Sequence, residues 1–315
     1  MKTYLLRRII AVVPVMLVVA TVSFLLIRLA PGDPASVMAG PDATADDLQR
    51  LSRQLGLDQP MPVQLVKWYA RLAQGDLGSS IFLRRPVLQA VVERLEPTLF
   101  LTLWGTLLSV LIGVPAGVVS ARYHNTAVDQ SFMAFALVGL SIPNFLLGLL
   151  MILVFGVWLG WLPVSGYVPL EDGVWLHLRS LIMPALSLGL VQSALVARIT
   201  RSSMLDVLRE QYILSSRAKG LHERVVIYKH ALKNAIIPTL TIVGITVALL
   251  IGGAVVVETV FNIPGVGRLI ISAVLRRDYP VVQGVVLLIA LVYTFINLLV
   301  DLAYLLIDPR IRYSR

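Results

Sequence analysis

Ile236-Ile237-Pro238-Thr239-Leu240-Thr241-Ile242-Val243-Gly244-Ile245-Thr246-Val247-Ala248-Leu249-Leu250-Ile251-Gly252-Gly253-Ala254-Val255-Val256-Val257 carries no charge anywhere along its length. A helix rises about 1.5 Å per residue, so such a block crosses the roughly 30 Å hydrocarbon core of a bilayer. Its apolar residues do not alternate in the two-residue rhythm of a half-buried strand. Blocks of the same kind run from Ile9 to Ile27, Leu99 to Ser120, Ser131 to Trp158 and Val281 to Leu306, and a weaker one from Pro184 to Ile199. The expected fold is therefore all-α and polytopic, with about six transmembrane helices and both ends on one side.

Composition agrees. Of 315 residues, 57% are hydrophobic and 14% charged, against about 25% charged in soluble domains. The formal charge of +9 fits Lys and Arg gathered in cytoplasmic loops better than a nucleic-acid surface. With no Cys there are no disulfides, thiolate metal ligands or Cys nucleophiles. Four His without a close carboxylate cluster leave no expected metal site and no catalytic residue.

The N-terminal Lys2, Arg7 and Arg8 precede an apolar stretch of full span length with no small-residue cleavage site behind it, so it reads as a retained helix entering from the cytoplasm. Ala30-Pro31-Gly32-Asp33-Pro34 ends it. A polar segment follows, in which Thr44 with Asp47 resembles a capping box, Pro62 to Ala73 has helical spacing and Pro86 starts a helix toward Leu95. In the block from Leu99, Gly113, Pro115 and Gly117 are residues that membrane helices tolerate. Ser141-Ile142-Pro143-Asn144 is expected to kink the next span, and Gly160 to Leu181 to form an external loop.

Short segments fix the orientation. Arg122, then Arg201, Arg209, Arg217, Lys219, Arg224, Lys229 and Lys233, then Arg310, Arg312 and Arg315 join the N-terminal cations on one side. The opposite short loops carry Arg179, Arg268, Arg276 and Arg277. The bias puts both termini inside.

Within the basic stretch, Gln211 to Lys219 reads as a helix that Gly220 closes in the left-handed conformation, and Val225 to Ala235 as a second helix entering the fifth span. Two short helices bent at a glycine on the cytoplasmic face make a docking element. Arg217-Ala218-Lys219-Gly220-Leu221, with His230-Ala231-Leu232-Lys233-Asn234-Ala235 and Pro238, resembles the cytoplasmic loop of ABC-importer permeases of the dipeptide, oligopeptide and nickel subfamily. Leu214-Ser215-Ser216 stands where the general signature has Glu-Ala-Ala, and Lys233 where it has Pro. Both departures are similar to those of the peptide subfamily. Pro31-Gly32-Asp33-Pro34, Leu55-Gly56-Leu57-Asp58-Gln59-Pro60, Gly75-Asp76-Leu77-Gly78, the run from Glu258 to Gly267 and Asp308-Pro309-Arg310-Ile311-Arg312-Tyr313 extend the likeness over nearly the whole chain. Gly244, Gly252 and Gly253 suit close packing of the fifth span.

The resemblance implies a multi-pass bacterial inner-membrane subunit of a type I ABC importer, close to dipeptide- and glutathione-type permeases. Residues 1–98 would form an N-terminal span with an extracytoplasmic segment, 99–308 the permease core and 309–315 a cytoplasmic tail. Ser215, Ser216, Arg217, Ala218, Lys219, Gly220 and Leu221 would couple it to ATPases. Taken alone, Arg217 and Lys219 also read as ordinary positive-inside charges. The implied partners are a second related permease, two ATP-binding subunits, an extracytoplasmic binding protein and the lipid bilayer, with no nucleic acid. The chain itself needs no cofactor, since ATP and Mg would sit in the partner ATPases. It has no Walker A sequence, and Gly265-Val266-Gly267 lacks the strand and helix of a phosphate loop.

Candidate pathway-lining residues are Ser141 and Asn144 beside Pro143, Glu258 at the outer end of the fifth span and Asn297 in the last. Glu258 and Asn297 serve equally as interface residues, and Asp301, one helical turn from Asn297, reads as an interface carboxylate. A secondary transporter driven by an ion gradient is the alternative, but it calls for inverted repeats and a midplane carboxylate, and neither is evident. A reporter fused near Asp58 is expected to read extracytoplasmic and one near Lys219 cytoplasmic, measured by paired phosphatase and fluorescent fusions. The reverse at either point refutes the six-span topology.

Overall fold

The computed structural model describes residues 2–29, 44–55 and 58–307. The expected turn at 30–34 and the tail at 309–315 lie outside the described residues, as does the Asp301 side chain. Apart from one isolated bridge between Ser79 and Pro86, the regular structure among the described residues is helical. In chain order it comprises α1 (Lys2–Leu29), α2 (Ala45–Leu55), α3 (Met61–Ala73), α4 (Val87–Val92), α5 (Leu95–Arg122), α6 (Ala127–Ser141) and α7 (Asn144–Met151, running on as π-helix Ile152–Trp158). There follow α8 (Val174–Leu208), α9 (Gln211–Ala218), α10 (Glu223–Val260, with a π-helical stretch at Val226–Ala231), α11 (Val266–Leu275) and α12 (Tyr279–Ile307).

Among the described residues, four continuous helical stretches are long and apolar enough to cross a membrane: Val87–Arg122, Val174–Leu208, Glu223–Val260 and Tyr279–Val300. α6 and the helix from Asn144 to Trp158 pass the same test only as a pair, bent by 98°. The expected kink at Pro143 is thus a break. Ile142 takes φ −88°, ψ 123° and Pro143 φ −61°, ψ 138°, two extended residues in succession. Steric conflict between a proline ring and the preceding residue disfavours helix there, and Pro143 instead starts α7.

The chain divides into two compact units, Met1–Glu96 with Arg268–Thr294, and Pro97–Gly267 with Phe295–Arg315. In the first, α1 and α3 are joined by the Tyr69 hydroxyl, which lies 2.7 Å from Thr21 Oγ1 and donates to the Leu17 carbonyl at 2.9 Å. Phe24 packs on Trp68 with ring centroids 5.6 Å apart.

The second unit is organised around α8. This helix begins at Val174, inside the stretch expected to be loop, and it is the least apolar of the four membrane-length stretches. Its most apolar window is nonetheless 72% buried, where the corresponding windows of the other three are 22–28% buried. Protein covers α8, so it needs less apolar surface than helices that face lipid. It packs against α6, α7 and α10, and it meets α5 along two ladders of small residues four apart. Gly105, Ser109, Gly113 and Gly117 on α5 face Gly189, Ser193 and Ala197 on α8. A Cβ on Gly113 would lie 2.7 Å from the Ser193 carbonyl oxygen, one on Gly117 2.6 Å from that of Ala197, and one on Gly189 2.8 Å from that of Gly105. In lipid, where apolar burial alone gives helices little reason to associate, close backbone approach of this kind holds a pair together.

Of the fifth-span glycines, Gly244 packs on Val300 and Gly253 on Asn144 and Leu188, whereas a Cβ on Gly252 would meet nothing within 4 Å. Gly117→Val is therefore expected to destabilise the protein by about 1–3 kcal/mol, while Gly252→Val stays close to wild type. Unfolding in mixed detergent checks both, and equal stability of the two variants refutes the seam.

Candidate functional site

The stretch singled out as a coupling element folds as expected. α9 ends where Lys219 N–H donates to Ser215 O at 3.1 Å, Gly220 N–H to Arg217 O at 2.9 Å and Leu221 N–H to Ser216 O at 3.4 Å. Gly220 has φ +75°, a conformation costly to residues with a Cβ. Space does not demand glycine there, since a Cβ would meet nothing within 4 Å. Backbone geometry alone selects it.

Arg217 reaches across this turn to Glu223, Nη2 to Oε1 at 2.7 Å and Nε to Oε2 at 3.3 Å. His222 Nδ1 accepts from Arg224 N–H and caps the start of α10. Both ion-pair partners are well exposed, so the pair is worth about 1 kcal/mol or less. What holds α9 is Ile213, its one buried side chain. Ile213 enters an apolar cluster formed by Val118 and Ala121 of α5, Met204 of α8, and Val226, Ile227 and Ala231 of α10. Around that anchor Tyr212, Leu214, Leu221, Val225 and Tyr228 are exposed. Asn234 Nδ2 donates to the Tyr212 hydroxyl at 2.6 Å and ties α9 to α10 a second time.

The four candidate pathway residues occupy separate places. Ser141 is exposed at the end of α6 and donates to the Leu137 carbonyl at 2.9 Å. Asn144 opens α7 half-buried, its amide against Gly253 of α10. Asn297 is half-buried on α12. Glu258 is fully buried and sits under a turn. Thr98 Oγ1 donates to Glu258 Oε1 at 2.5 Å and accepts from Val266 N–H at 2.9 Å, and Ile263 N–H donates to the Glu258 carbonyl at 2.8 Å. A Cβ on Gly265 would fall 2.2 Å from the Glu258 carboxyl carbon. The glycines of Gly265-Val266-Gly267 therefore make room for a carboxylate at the N-terminus of α11, where helix dipole and free N–H groups favour negative charge.

A further polar cluster was not foreseen. Asp129, buried in the first turn of α6, receives Arg201 Nε on Oδ1 at 2.6 Å and Nη2 on Oδ2 at 2.7 Å, with Asn125 N–H at 2.9 Å and a short hydrogen bond from Ser120. This bidentate pair binds the turn after α5 to the end of α8. In sequence Arg201 is one positive-inside charge among many, and its partner lies 72 residues away, beyond any local spacing rule.

Ile213→Ala removes the anchor of α9 without touching its exposed face. A buried isoleucine truncated to alanine costs about 2–5 kcal/mol, here confined to one short helix. Faster amide exchange at 211–221 with unchanged exchange in α8 is the expected result, read by mass spectrometry. Unchanged exchange in α9 refutes the anchoring role.

Comparison with known proteins agrees with this architecture. Residues 113–313 match the family described as binding-protein-dependent transport system inner membrane component, and residues 1–102 match the corresponding N-terminal membrane component. The chain is 47% identical to a probable peptide ABC transporter permease protein of Sinorhizobium fredii, over 99% of this chain and 100% of that one. It is 44% identical to a glutathione transport system permease protein of Salmonella paratyphi A, over 100% of both. Among solved structures, an inward-facing form of the MetNI methionine ABC transporter superimposes with a TM-score of 0.60 at 20% identity, covering 70% of this chain and 97% of that one, a likeness of fold. Nothing in these likenesses supports a secondary transporter. The chain belongs to the binding-protein-dependent transport system inner membrane components, the non-catalytic permease subunits of ABC importers, and within them to the peptide subfamily.

Proposed function

We propose that this permease forms half of the translocation pathway for di- or oligopeptides, glutathione-like peptides included, and that α9 with the Gly220 turn receives the stroke of the ATPases. Support for the substrate class comes from the names of the full-length relatives. The observation that carries the coupling role is the form of α9: a short helix with one buried anchor, closed by a left-handed glycine and presenting exposed Tyr212, Leu214 and Leu221. Exposed apolar side chains gathered on a polar loop mark a contact with another protein.

In this reading two ATP-binding subunits hold ATP and Mg and grip the segment Ser215 to Leu221. A second, related permease completes the pathway, and an extracytoplasmic binding protein delivers substrate. Both termini are cytoplasmic. ATP-driven closure of the ATPases displaces α9, and Ile213 passes the movement to α5, α8 and α10 together, because it shares one apolar cluster with residues of all three. The spans then rock between inward- and outward-open forms. Asn144, at the 98° break and against α10, and Asn297 remain the proposed pathway residues. Ser141 is proposed to flank them. Glu258 serves the pathway as a fastener of the α10–α11 turn.

Gly220→Val places a β-branched residue at φ +75° and is expected to cost at least about 1 kcal/mol locally. Insertion should be normal, transport in proteoliposomes should fall sharply, and ATPase activity should no longer respond to loaded binding protein. Gly166→Val is the control, since Gly166 also has positive φ and open surroundings but lies in the connection between α7 and α8. If Gly166→Val abolishes uptake while Gly220→Val transports normally, the coupling role of α9 is refuted.

A further inference from the structure

Within the unit formed by Met1–Glu96 and Arg268–Thr294, four helices leave between them a groove of about 450 Å³. Its walls come from α1 between Val12 and Ala20, from α3 and the turn after it, from α4, and from α12 between Gly284 and Leu291. At about 1.5 Å per residue the runs on α1 and α12 are roughly 10–12 Å long, so the groove follows the axes of those two helices.

Every lining residue is apolar or glycine except Tyr69. The Tyr69 hydroxyl is already engaged, donating to the Leu17 carbonyl at 2.9 Å and lying 2.7 Å from Thr21 Oγ1. Water in the groove would find no free polar partner among the lining side chains, and apolar cavities of that kind stay dry. The same property excludes a peptide, whose backbone N–H and C=O groups need partners wherever they are buried.

The groove is open along one side. Val13, Leu17, Leu88, Val92 and Leu291 line it and are each about half exposed. Three of its four walls belong to apolar helical stretches, Ile10–Leu25, Val87–Arg122 and Tyr279–Val300, so what reaches the open side is bilayer hydrocarbon. Size then selects the occupant. At roughly 30 Å³ per water-sized group, 450 Å³ takes about 15 methylene-sized groups, the bulk of one acyl chain. A helix of a neighbouring subunit, roughly 10 Å across, would need about 900 Å³ over the same length.

Charge on α3 complements a lipid. Lys67 and Arg71 are exposed, and no Asp or Glu occurs on this helix. Helical spacing sets the two cations one turn apart, on the side of α3 opposite Tyr69 and Ala73. The helix buries no residue fully and exposes Met61, Val63 and Val66, the pattern of a helix lying in the headgroup zone.

We propose that this groove binds one acyl chain of a phospholipid whose phosphate sits against Lys67 and Arg71. In the orientation proposed above, the lipid belongs to the extracytoplasmic leaflet. The site is separate from α9 and from the proposed pathway residues, all of which lie in the other unit. The chain fills the space that side chains leave between α1 and α12, and so makes the packing of this unit lipid-dependent.

The test reconstitutes the complete transporter in proteoliposomes containing phosphatidylglycerol with a photoactivatable diazirine in mid-chain. After illumination, labelled peptides are located by mass spectrometry. Labelling concentrated on residues 12–20 and 284–291, and displaced by unlabelled phosphatidylglycerol, is the expected result. Diacylglycerol with the same chains but no phosphate should displace it at least about tenfold less well. Ala73→Phe sets a ring into the groove and should lower labelling of the two runs at least about tenfold, with labelling elsewhere on the chain unchanged. Lys67→Gln combined with Arg71→Gln should abolish the preference for phosphatidylglycerol over diacylglycerol. All three substituted positions are exposed, so folding is spared, and monodisperse elution of the assembled complex checks this. Labelling of the two runs no greater than that of other lipid-facing helices, or untouched by Ala73→Phe, overturns the site. Equal displacement by diacylglycerol, or a phosphatidylglycerol preference that survives both glutamines, overturns the phosphate contact. Label that enters the groove of the isolated chain but not of the complex assigns the groove to a partner subunit and overturns the proposal.

Discussion

The closeness of α5 to α8 is the constraint on which the larger unit depends. At Gly113, Gly117 and Gly189 a single added carbon would stand less than 3 Å from a carbonyl oxygen of the other helix. Lipid is as apolar as leucine, so a leucine-rich face gives a helix no reason to leave it. Small residues four apart do, because they let two backbones touch along several turns. Once α8 is drawn in against α5, it is surrounded by α6, α7 and α10, and its polar positions become supportable. Ser187, Thr200 and Ser203 are buried along it, with Ser187 Oγ donating to the Pro184 carbonyl at 2.8 Å and Thr200 Oγ1 lying 3.2 Å from Thr239 Oγ1.

The same seam also carries the apolar cluster that seats α9. At its α9 end, Val118 and Ala121 of α5, Met204 of α8 and the π-helical start of α10 close around Ile213. Under the coupling role proposed for α9, this shared cluster lets it move the three helices jointly. The Arg201–Asp129 pair stiffens this end further, since two parallel N–H···O bonds fix direction as well as distance.

Buried carboxylates recur as fasteners of turns. Asp129 takes Ser120 and the Asn125 N–H, Glu258 takes Thr98, and Asp278 takes Ser80 with two backbone N–H groups. Asp129 and Asp278 are each met by several donors at once, as burial of a strong acceptor requires. Each lies at a helix end, where the chain changes direction and backbone groups are otherwise short of partners.

What the sequence determined by itself was whatever depends on composition over one helix length: the apolar blocks, the cap at Gly220, and the helix start at Pro86. These are local effects, and neighbours did not override them. The family was legible for the same reason, because its marks are contiguous segments. Only the tertiary structure decided that the least apolar span lies at the centre, that Pro143 breaks its span by 98°, that Glu258 faces a turn, and that Arg201 belongs to Asp129. Each of these turns on which surfaces face protein and which face lipid, and on contacts between residues as many as 198 positions apart. Periodicity within one helix carries no information about such contacts.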